Sequence, residues 1–320
     1  MKPITIGKLR GLQQCTSPRG TFSCLALDHR QNLRKALNPA DPGSVKDADL
    51  SSFKLEVSST LADLATAVLL DPEVSAAQAV ASQAIPRQTG LIVAMESTGY
   101  TGDPTARHAQ VLPGWSVEKA KRMGADAIKL LVYYHPDSST AKEIEAFVEQ
   151  VADDCRKYDL AIMLEPLSYA LHPDTRRLSS DEKRHVVIES ARRLTSLGVD
   201  VLKVEFPLDI NDPDELQWAQ ACSEITAAST TPWILLSAAV DYDTYLRQIS
   251  TACKAGASGI AVGRAVWQEA VNLVGESRRE FLQTIARERL TRLSALCSEF
   301  GKPVSDFYKA EAPFDWYKTY

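Results

Sequence analysis

Eight short runs rich in Val, Ile, Leu and Ala recur along this 320-residue chain, and most are separated by amphipathic stretches long enough for a helix. That alternation restricts the fold more than any other feature. Strands are predicted at 21–28, 66–71, 90–96, 127–134, 160–167, 201–207, 233–239 and 259–265. Strands this continuously apolar are buried on both faces, as helices outside and packed side chains inside would require. Between them, 140–157 places Ile144, Phe147, Val148, Val151 and Cys155 on one helical stripe, and 50–64 does the same with Leu50, Phe53, Val57, Leu61 and Leu64. Lys54 and Glu56 lie within the second of these helices and are expected to be exposed.

Three junctions share a pattern. "KRMGADAIKL", "TSLGVDVLKV" and "CKAGASGIAV" each run from a helix end through a glycine into a strand, and Gly124, Gly198 and Gly256 suit the left-handed position that closes a helix. Five residues beyond each glycine stand Lys129, Lys203 and Ala261, so the two lysines hold equivalent places in the fourth and sixth strands. Alternate strands of an eight-stranded barrel contribute to one interior layer, with strand five and its Glu165 between them. No linker rich in Pro, Ser or Gly interrupts the series. The expected architecture is therefore α/β, a single-domain (β/α)8 TIM barrel over residues 1–320, with a long βα loop at 97–115 and a C-terminal tail from about 298 that packs on a neighbour or frays. A doubly wound open sheet competes, but no GxGxxG follows an early strand.

Charged and polar residues stand near the C-terminal end of nearly every predicted strand: Asp28, Asp71, Glu96, Lys129, Glu165, Lys203 with Glu205, Ser237 and Arg264. In a barrel that rim is where side chains from separate strands converge on an active site. Lys203 and Glu205 share one face of their strand. Burial makes an ammonium costly and lowers its pKa, and a second lysine nearby lowers it further. A neutral amine attacks carbonyls to form a Schiff base, an electron sink for the adjacent carbon–carbon bond, and Glu165 is placed to move protons. An internal Lys–Glu ion-pair ring is the structural alternative. Glu205 is expected to orient or balance the lysines, with a plain core ion pair as its own alternative.

After strands seven and eight, Ser237, Ala238 and Ala239, and then Gly263 and Arg264, offer small residues, a hydroxyl and a guanidinium. Barrels often hold a phosphate there. A rim salt bridge is the other reading of Arg264, and a solvated loop the other reading of Asp28, His29 and Arg30.

Composition narrows the partners. With a net charge of −5 and scattered Lys and Arg, the chain lacks the footprint of a nucleic-acid binder, and no apolar run suits a signal peptide or membrane span. A cytoplasmic protein with neither nucleic acid nor membrane as partner is expected. The six cysteines form no C-x-x-C pair and are expected to be reduced and packed. The five histidines lack ligand spacing, so no metal and no cofactor are expected.

Taken together, "LALDHR", "LLDPE", "ESTGY", "GADAIKLLVYYHPDSS", "LEPLSY", "DVLKVEFP", "LLSAAV" and "GRAVW" resemble the tagatose-1,6-bisphosphate aldolase family of metal-independent class I aldolases, which includes the sulfofructose-phosphate aldolases. The resemblance spans about residues 20–270. It implies a barrel that cleaves a ketose 1,6-bisphosphate to dihydroxyacetone phosphate and an aldehyde such as glyceraldehyde 3-phosphate. Lys203 falls on the family's Schiff-base lysine, Glu165 on its acid/base, Lys129 on its second lysine and Asp28 on an active-site aspartate. Ser237 and Arg264 match the part of the pocket that holds the ketose-end phosphate. His29 replaces a typical Gln, and Ala239 stands where the family supplies a Gly; both departures bear on the identity of the sugar. Arg107 and His108, in the long loop, are candidates for reading the aldehyde end. A sulfofructose-phosphate aldolase giving sulfolactaldehyde, a transaldolase-like or deoxyribose-phosphate-type aldolase, and a non-catalytic sugar-phosphate-binding regulatory barrel are the alternatives. A homo-oligomer is expected.

Overall fold

A computed structural model describes residues 1–320 apart from 173, 176, 210–213, 239 and 319. The predicted Ala239 position therefore lies outside the described residues. The strands are β1 (Phe22–Ala26), β2 (Ala67–Leu70), β3 (Gly90–Ala94), β4 (Ala127–Tyr133), β5 (Ala161–Leu167), β6 (Val201–Val204), β7 (Trp233–Leu236) and β8 (Gly259–Val262). Each pairs in parallel with its chain neighbours, and β8 pairs with β1 to close a barrel. The (β/α)8 expectation holds, with several strands ending earlier than predicted. Gly124, Gly198 and Gly256 do adopt φ of 95°, 84° and 107°, the left-handed region in which a side chain is strained.

Side-chain parity builds the site. Cys24 and Ala26, Ala67 and Leu69, Ile92, Ala127, Ala161 and Met163, Val201, Ile234 and Ala261 pack together inside the barrel as one apolar cluster. Counting on by twos along the strands reaches Asp28, Glu96, Lys129, Glu165 and Lys203. The interior thus changes from apolar to ionic toward the C-terminal mouth. Met163 pairs with Val201 between β5 and β6, so the same register carried two residues further sets Lys203 beside Glu165.

The outer layer is apolar. Helix Ala141–Lys157 buries Ile144, Val148, Val151 and Cys155, and helix Asp47–Leu61 buries Leu50, Phe53, Val57 and Leu61. Lys54 corrects the expectation of exposure: lying four residues after Leu50 and three before Val57, it falls on the buried stripe and pairs with Asp71, both side chains being fully buried. Glu56 is half-buried and faces Arg278 at 3.3 Å. All six cysteines are buried and unbridged. No helix among the described residues is long and apolar enough to cross a membrane.

The N-terminal end of the barrel is floored by both ends of the chain. Helix Ile6–Gln14 lies there, with Lys8 Nζ 2.8 Å from Asp200, whose Oδ2 also accepts from the Ile162 N–H at 2.9 Å. Gly11 permits this approach, since a β-carbon there would lie 2.2 Å from the Asp126 carbonyl oxygen. The tail does not simply fray: Lys2–Pro3 pairs in parallel with Tyr308–Lys309, and the buried Tyr308 hydroxyl donates to the Asp200 carbonyl at 2.7 Å. Its last aromatic residues, from Phe314 on, are exposed.

Candidate active site

The C-terminal mouth encloses a cavity of about 580 Å³. Its centre is Lys129, only 1 % exposed, whose Nζ lies 2.8 Å from Asp28 Oδ2, 2.7 Å from Glu96 Oε1 and 3.0 Å from Glu165 Oε2. Lys203 Nζ reaches the same Glu165 oxygen at 2.8 Å. Two lysines therefore share one carboxylate oxygen, and together they outweigh the cost of its burial.

Burial would pull Lys129 down, but Asp28, Glu165 and Glu96 outweigh it and hold the ammonium well above its ordinary value. Lys129 is thus a fixed positive charge, not the depressed amine expected of a buried lysine pair. Burial pushes Glu165 up, yet Lys129 and Lys203 bring it below the usual carboxylate value, and Asp28 is likewise held low against its own burial. The site can keep an amine and a compensating cation each within about 3 Å of one proton-accepting carboxylate.

Arg30 lines the cavity, but its guanidinium is committed: Nη2 donates to the Glu96 carbonyl at 2.7 Å and Nη1 pairs with Glu73. It fastens the end of β3 instead of offering itself to an anion. Glu96 in turn accepts from the Leu131 N–H at 3.0 Å. The contact of Glu96 with Lys129 puts it in the centre of the site.

Glu205 departs from expectation. β6 ends at Val204, and Glu205 accepts from the Ser168 N–H and hydroxyl, each at 2.7 Å, making no ion pair among the described residues. It lines the cavity without balancing the lysines. Asp71 is also displaced: it pairs with Lys54 and accepts from the backbone of Glu73 and Val74 at 3.0 and 2.9 Å, outside the cavity wall, because the chain turns after Leu70.

On the β7–β8 side, Ser237, Ala238, Gly263 and Arg264 line the cavity together, as the sequence suggested. The Gly263 N–H donates to Ser237 Oγ at 3.4 Å, and a β-carbon on Gly263 would crowd the Ala26 carbonyl at 3.0 Å. Ala238 has a φ of 43°, a left-handed strain that alanine rarely accepts outside functional turns. Arg264 Nε is buried with no partner among the described residues. A buried orphan donor of this kind carries a desolvation cost that an anion in the cavity would repay.

His29 also lines the wall, edge-on to Trp267 with ring centroids 5.5 Å apart. Burial, which Asp28 opposes and Arg264, Lys203 and Lys54 reinforce, pulls its ring down to about 4 from an ordinary 6.5. The unfolded chain then binds a proton between pH 6.5 and 4 that the folded protein refuses, so folding stability drops as pH falls through that window and is unaffected above it. His29→Gln is expected to lose this slope, on the order of 2 kcal/mol across the window after allowing for the ring's partial exposure. Urea unfolding at a series of pH values measures it.

The long loop forms an antiparallel hairpin, Thr101–Asp103 with Ala106–His108. His108 Nδ1 faces Glu143 of helix Ala141–Lys157 at 3.1 Å and does not line the cavity. Arg107 stands behind Tyr133, which does. The sequence reading passed over Leu131, Tyr133 and Leu167, all on the wall, although the parity that gives Lys129 and Glu165 also gives them.

Comparison with known proteins adds independent findings. Residues 22–269 match the model of the DeoC/LacD family of aldolases. The tagatose 1,6-diphosphate aldolase of Listeria monocytogenes is 31% identical, the alignment covering 95% of each chain, and the tagatose 1,6-diphosphate aldolase 2 of Enterococcus faecalis is 33% identical over 92% of this chain and 94% of that one. Among solved structures, an archaeal fructose 1,6-bisphosphate aldolase superposes with a TM-score of 0.61 at 21% identity, covering 92% of this chain and 99% of its own. The fructose-bisphosphate aldolase of Plasmodium falciparum superposes with a TM-score of 0.73 at 13% identity, covering 94% and 98%. These two structural likenesses bear on the barrel alone.

Proposed function

The chain belongs to the DeoC/LacD aldolase family, class I enzymes, and from that membership we propose that it cleaves a ketose 1,6-bisphosphate of the tagatose type to dihydroxyacetone phosphate and glyceraldehyde 3-phosphate, with Lys203 as the Schiff-base residue. The observation that carries the reading is the Glu165 oxygen 2.8 Å from Lys203 Nζ and 3.0 Å from Lys129 Nζ. Glu165 accepts a proton from the Lys203 ammonium, and the freed amine adds to C2 of the open-chain ketose. The protonated carboxyl then gives a proton to the departing C2 hydroxyl, and water leaves an iminium. Cleavage of C3–C4 sends the bonding pair into the iminium as an enamine, while the C4 hydroxyl gives its proton to the re-formed Glu165 carboxylate and becomes the aldehyde; C3 of the enamine then takes a proton, and water hydrolyses the resulting iminium to dihydroxyacetone phosphate and free Lys203.

Lys129 stays charged throughout. It keeps Asp28, Glu96 and Glu165 compensated and supplies a cation to the hydroxyl oxygens of the sugar. Ser237 and Arg264, with the backbone at Ala238 and Gly263, hold the 1-phosphate, for which the unpartnered Arg264 Nε is suited.

A cleavage screen over tagatose, fructose and psicose 1,6-bisphosphates and sulfofructose 1-phosphate, run in chelator, tests the substrate. Trapping with dihydroxyacetone phosphate and borohydride is expected to add the reduced adduct to the peptide carrying Lys203. A requirement for divalent metal with Lys203 left unmodified overturns the mechanism.

A further inference from the structure

A chain of charges runs inward from the outer helix layer to Lys129. It starts at Asp71, buried with Lys54 just beyond the end of β2. Asp71 Oδ2 also accepts from the Ser75 hydroxyl at 2.5 Å, and Oδ1 accepts from the N–H groups of Glu73 and Val74 at 3.0 and 2.9 Å. A carboxylate so fully engaged closes the turn over 71–75 into one shape, and that turn presents Glu73. The Glu73 carboxylate pairs with Arg30 Nη1. Arg30 Nη2 donates to the Glu96 carbonyl at 2.7 Å and stands 3.8 Å from Glu96 Oε1, the same oxygen that lies 2.7 Å from Lys129 Nζ.

Two buried cations thus contend for one carboxylate. Among the described residues, Arg30 forms ion pairs with Glu73 and Glu96, and Lys129 with Asp28, Glu96 and Glu165. A cation buried as deeply as the Arg30 side chain, 8 % exposed, must be compensated. While Glu73 neutralises Arg30, Glu96 is left to Lys129. Removing the Glu73 charge turns the guanidinium toward Glu96, because charges there are weakly screened. Arg30 also follows Asp28 by two residues, so its movement disturbs the turn that sets Asp28 2.8 Å from Lys129. Lys129 then leans harder on Glu165, the carboxylate that serves Lys203. Glu73 itself is not part of the cavity wall.

We propose that Glu73 is a positioning residue for the cleavage reaction: by holding Arg30 it reserves the Glu96 carboxylate for Lys129 and leaves Glu165 free to move the protons of Lys203. The inference rests on the Schiff-base reading of Lys203 and adds to it a residue that acts from outside the cavity.

The test measures kcat, KM and melting temperature for the unmodified protein, Glu73→Gln, Glu73→Asp, Arg30→Lys and the double variant Glu73→Gln with Arg30→Lys. In Glu73→Gln, kcat is expected to fall about tenfold or more while KM changes by less than about threefold, since the proton-moving groups shift and the phosphate end at Arg264 does not. The Glu73 side chain is 42 % exposed, so its pair with Arg30 adds little to stability and the melting temperature is expected to hold. Glu73→Asp keeps the charge and recovers part of kcat. The double variant loses less than the product of the two single losses, because both changes act on one contact. A kcat within about twofold of the unmodified protein in Glu73→Gln overturns the inference alone. So do independent, multiplying losses in the double variant, or equal losses in Glu73→Gln and Glu73→Asp that follow a lowered melting temperature. Absence of cleavage and of a trapped adduct in the unmodified protein overturns the reading of Lys203, and this inference with it.

Discussion

Lys203→Ala is expected to reduce cleavage by on the order of 10⁴-fold or more and to abolish borohydride trapping, because the amine that shares its carboxylate cannot take its place. That amine is Lys129, and its surroundings disqualify it. Three carboxylate oxygens within 3.0 Å hold it as an ammonium, whose nitrogen has no lone pair to give. Among the described residues the one carboxylate that forms an ion pair with Lys203 is Glu165. Steady-state cleavage and peptide mass mapping after trapping read both parts of the prediction. Trapped adduct on Lys129 in the alanine variant would reverse the assignment of the two lysines.

Lys129→Met is expected to remove activity for a different reason and to destabilise the fold by about 3–5 kcal/mol, since it leaves Asp28, Glu96 and Glu165 buried with only Lys203 to compensate them. The sign of its pH dependence is fixed by the carboxylates. In the native protein Asp28 and Glu165 are held below their ordinary values of 3.8 and 4.5. Their stabilising contribution is present above those values and is lost as pH falls through the lowered ones. In the variant the same carboxyls protonate readily, so the stability gap between the two proteins is full near neutrality and closes below about pH 4. Urea midpoints at neutral and acid pH check this. A gap that persists unchanged in acid would mean that lost packing, not charge, sets the cost.

Much of this site was legible because strands have a period of two and barrels have a repeating junction. The glycine-to-strand count that aligned Lys129, Lys203 and Ala261 put all three on the cavity wall. What escaped depended on where strands stop and on which partners arrive from other elements. Glu205 and Asp71 continue the inward parity of their strands, but β6 and β2 end just before them, and each side chain follows the turning backbone to Ser168 or to Lys54. Arg30 looked like a free rim cation until Glu73 and the Glu96 carbonyl, both distant in sequence, claimed its donors. The Lys54–Asp71 pair is a case in which reading the helix stripe without regard to charge would have been the better guide. The aromatic tail gave no pattern to read, since its anchors come from distant elements: the pairing of Tyr308–Lys309 with Lys2–Pro3 and the Tyr308 hydroxyl on a backbone carbonyl 108 residues away.

The floor made from both chain ends has a consequence for how the molecule is born. Phe22–Ala26 leaves the ribosome early, yet one of its edges is sealed only by Gly259–Val262, and Lys2–Pro3 meets its partner later still, at Tyr308–Lys309. During synthesis an open sheet therefore waits with unpaired edges and an apolar inner face uncovered, and its closing contacts join segments more than 200 residues apart. Such a nascent chain is a natural client for chaperones until its last strand emerges. The completed ring has no edge left to offer, so the vulnerability belongs to biosynthesis and ends when β8 docks on β1.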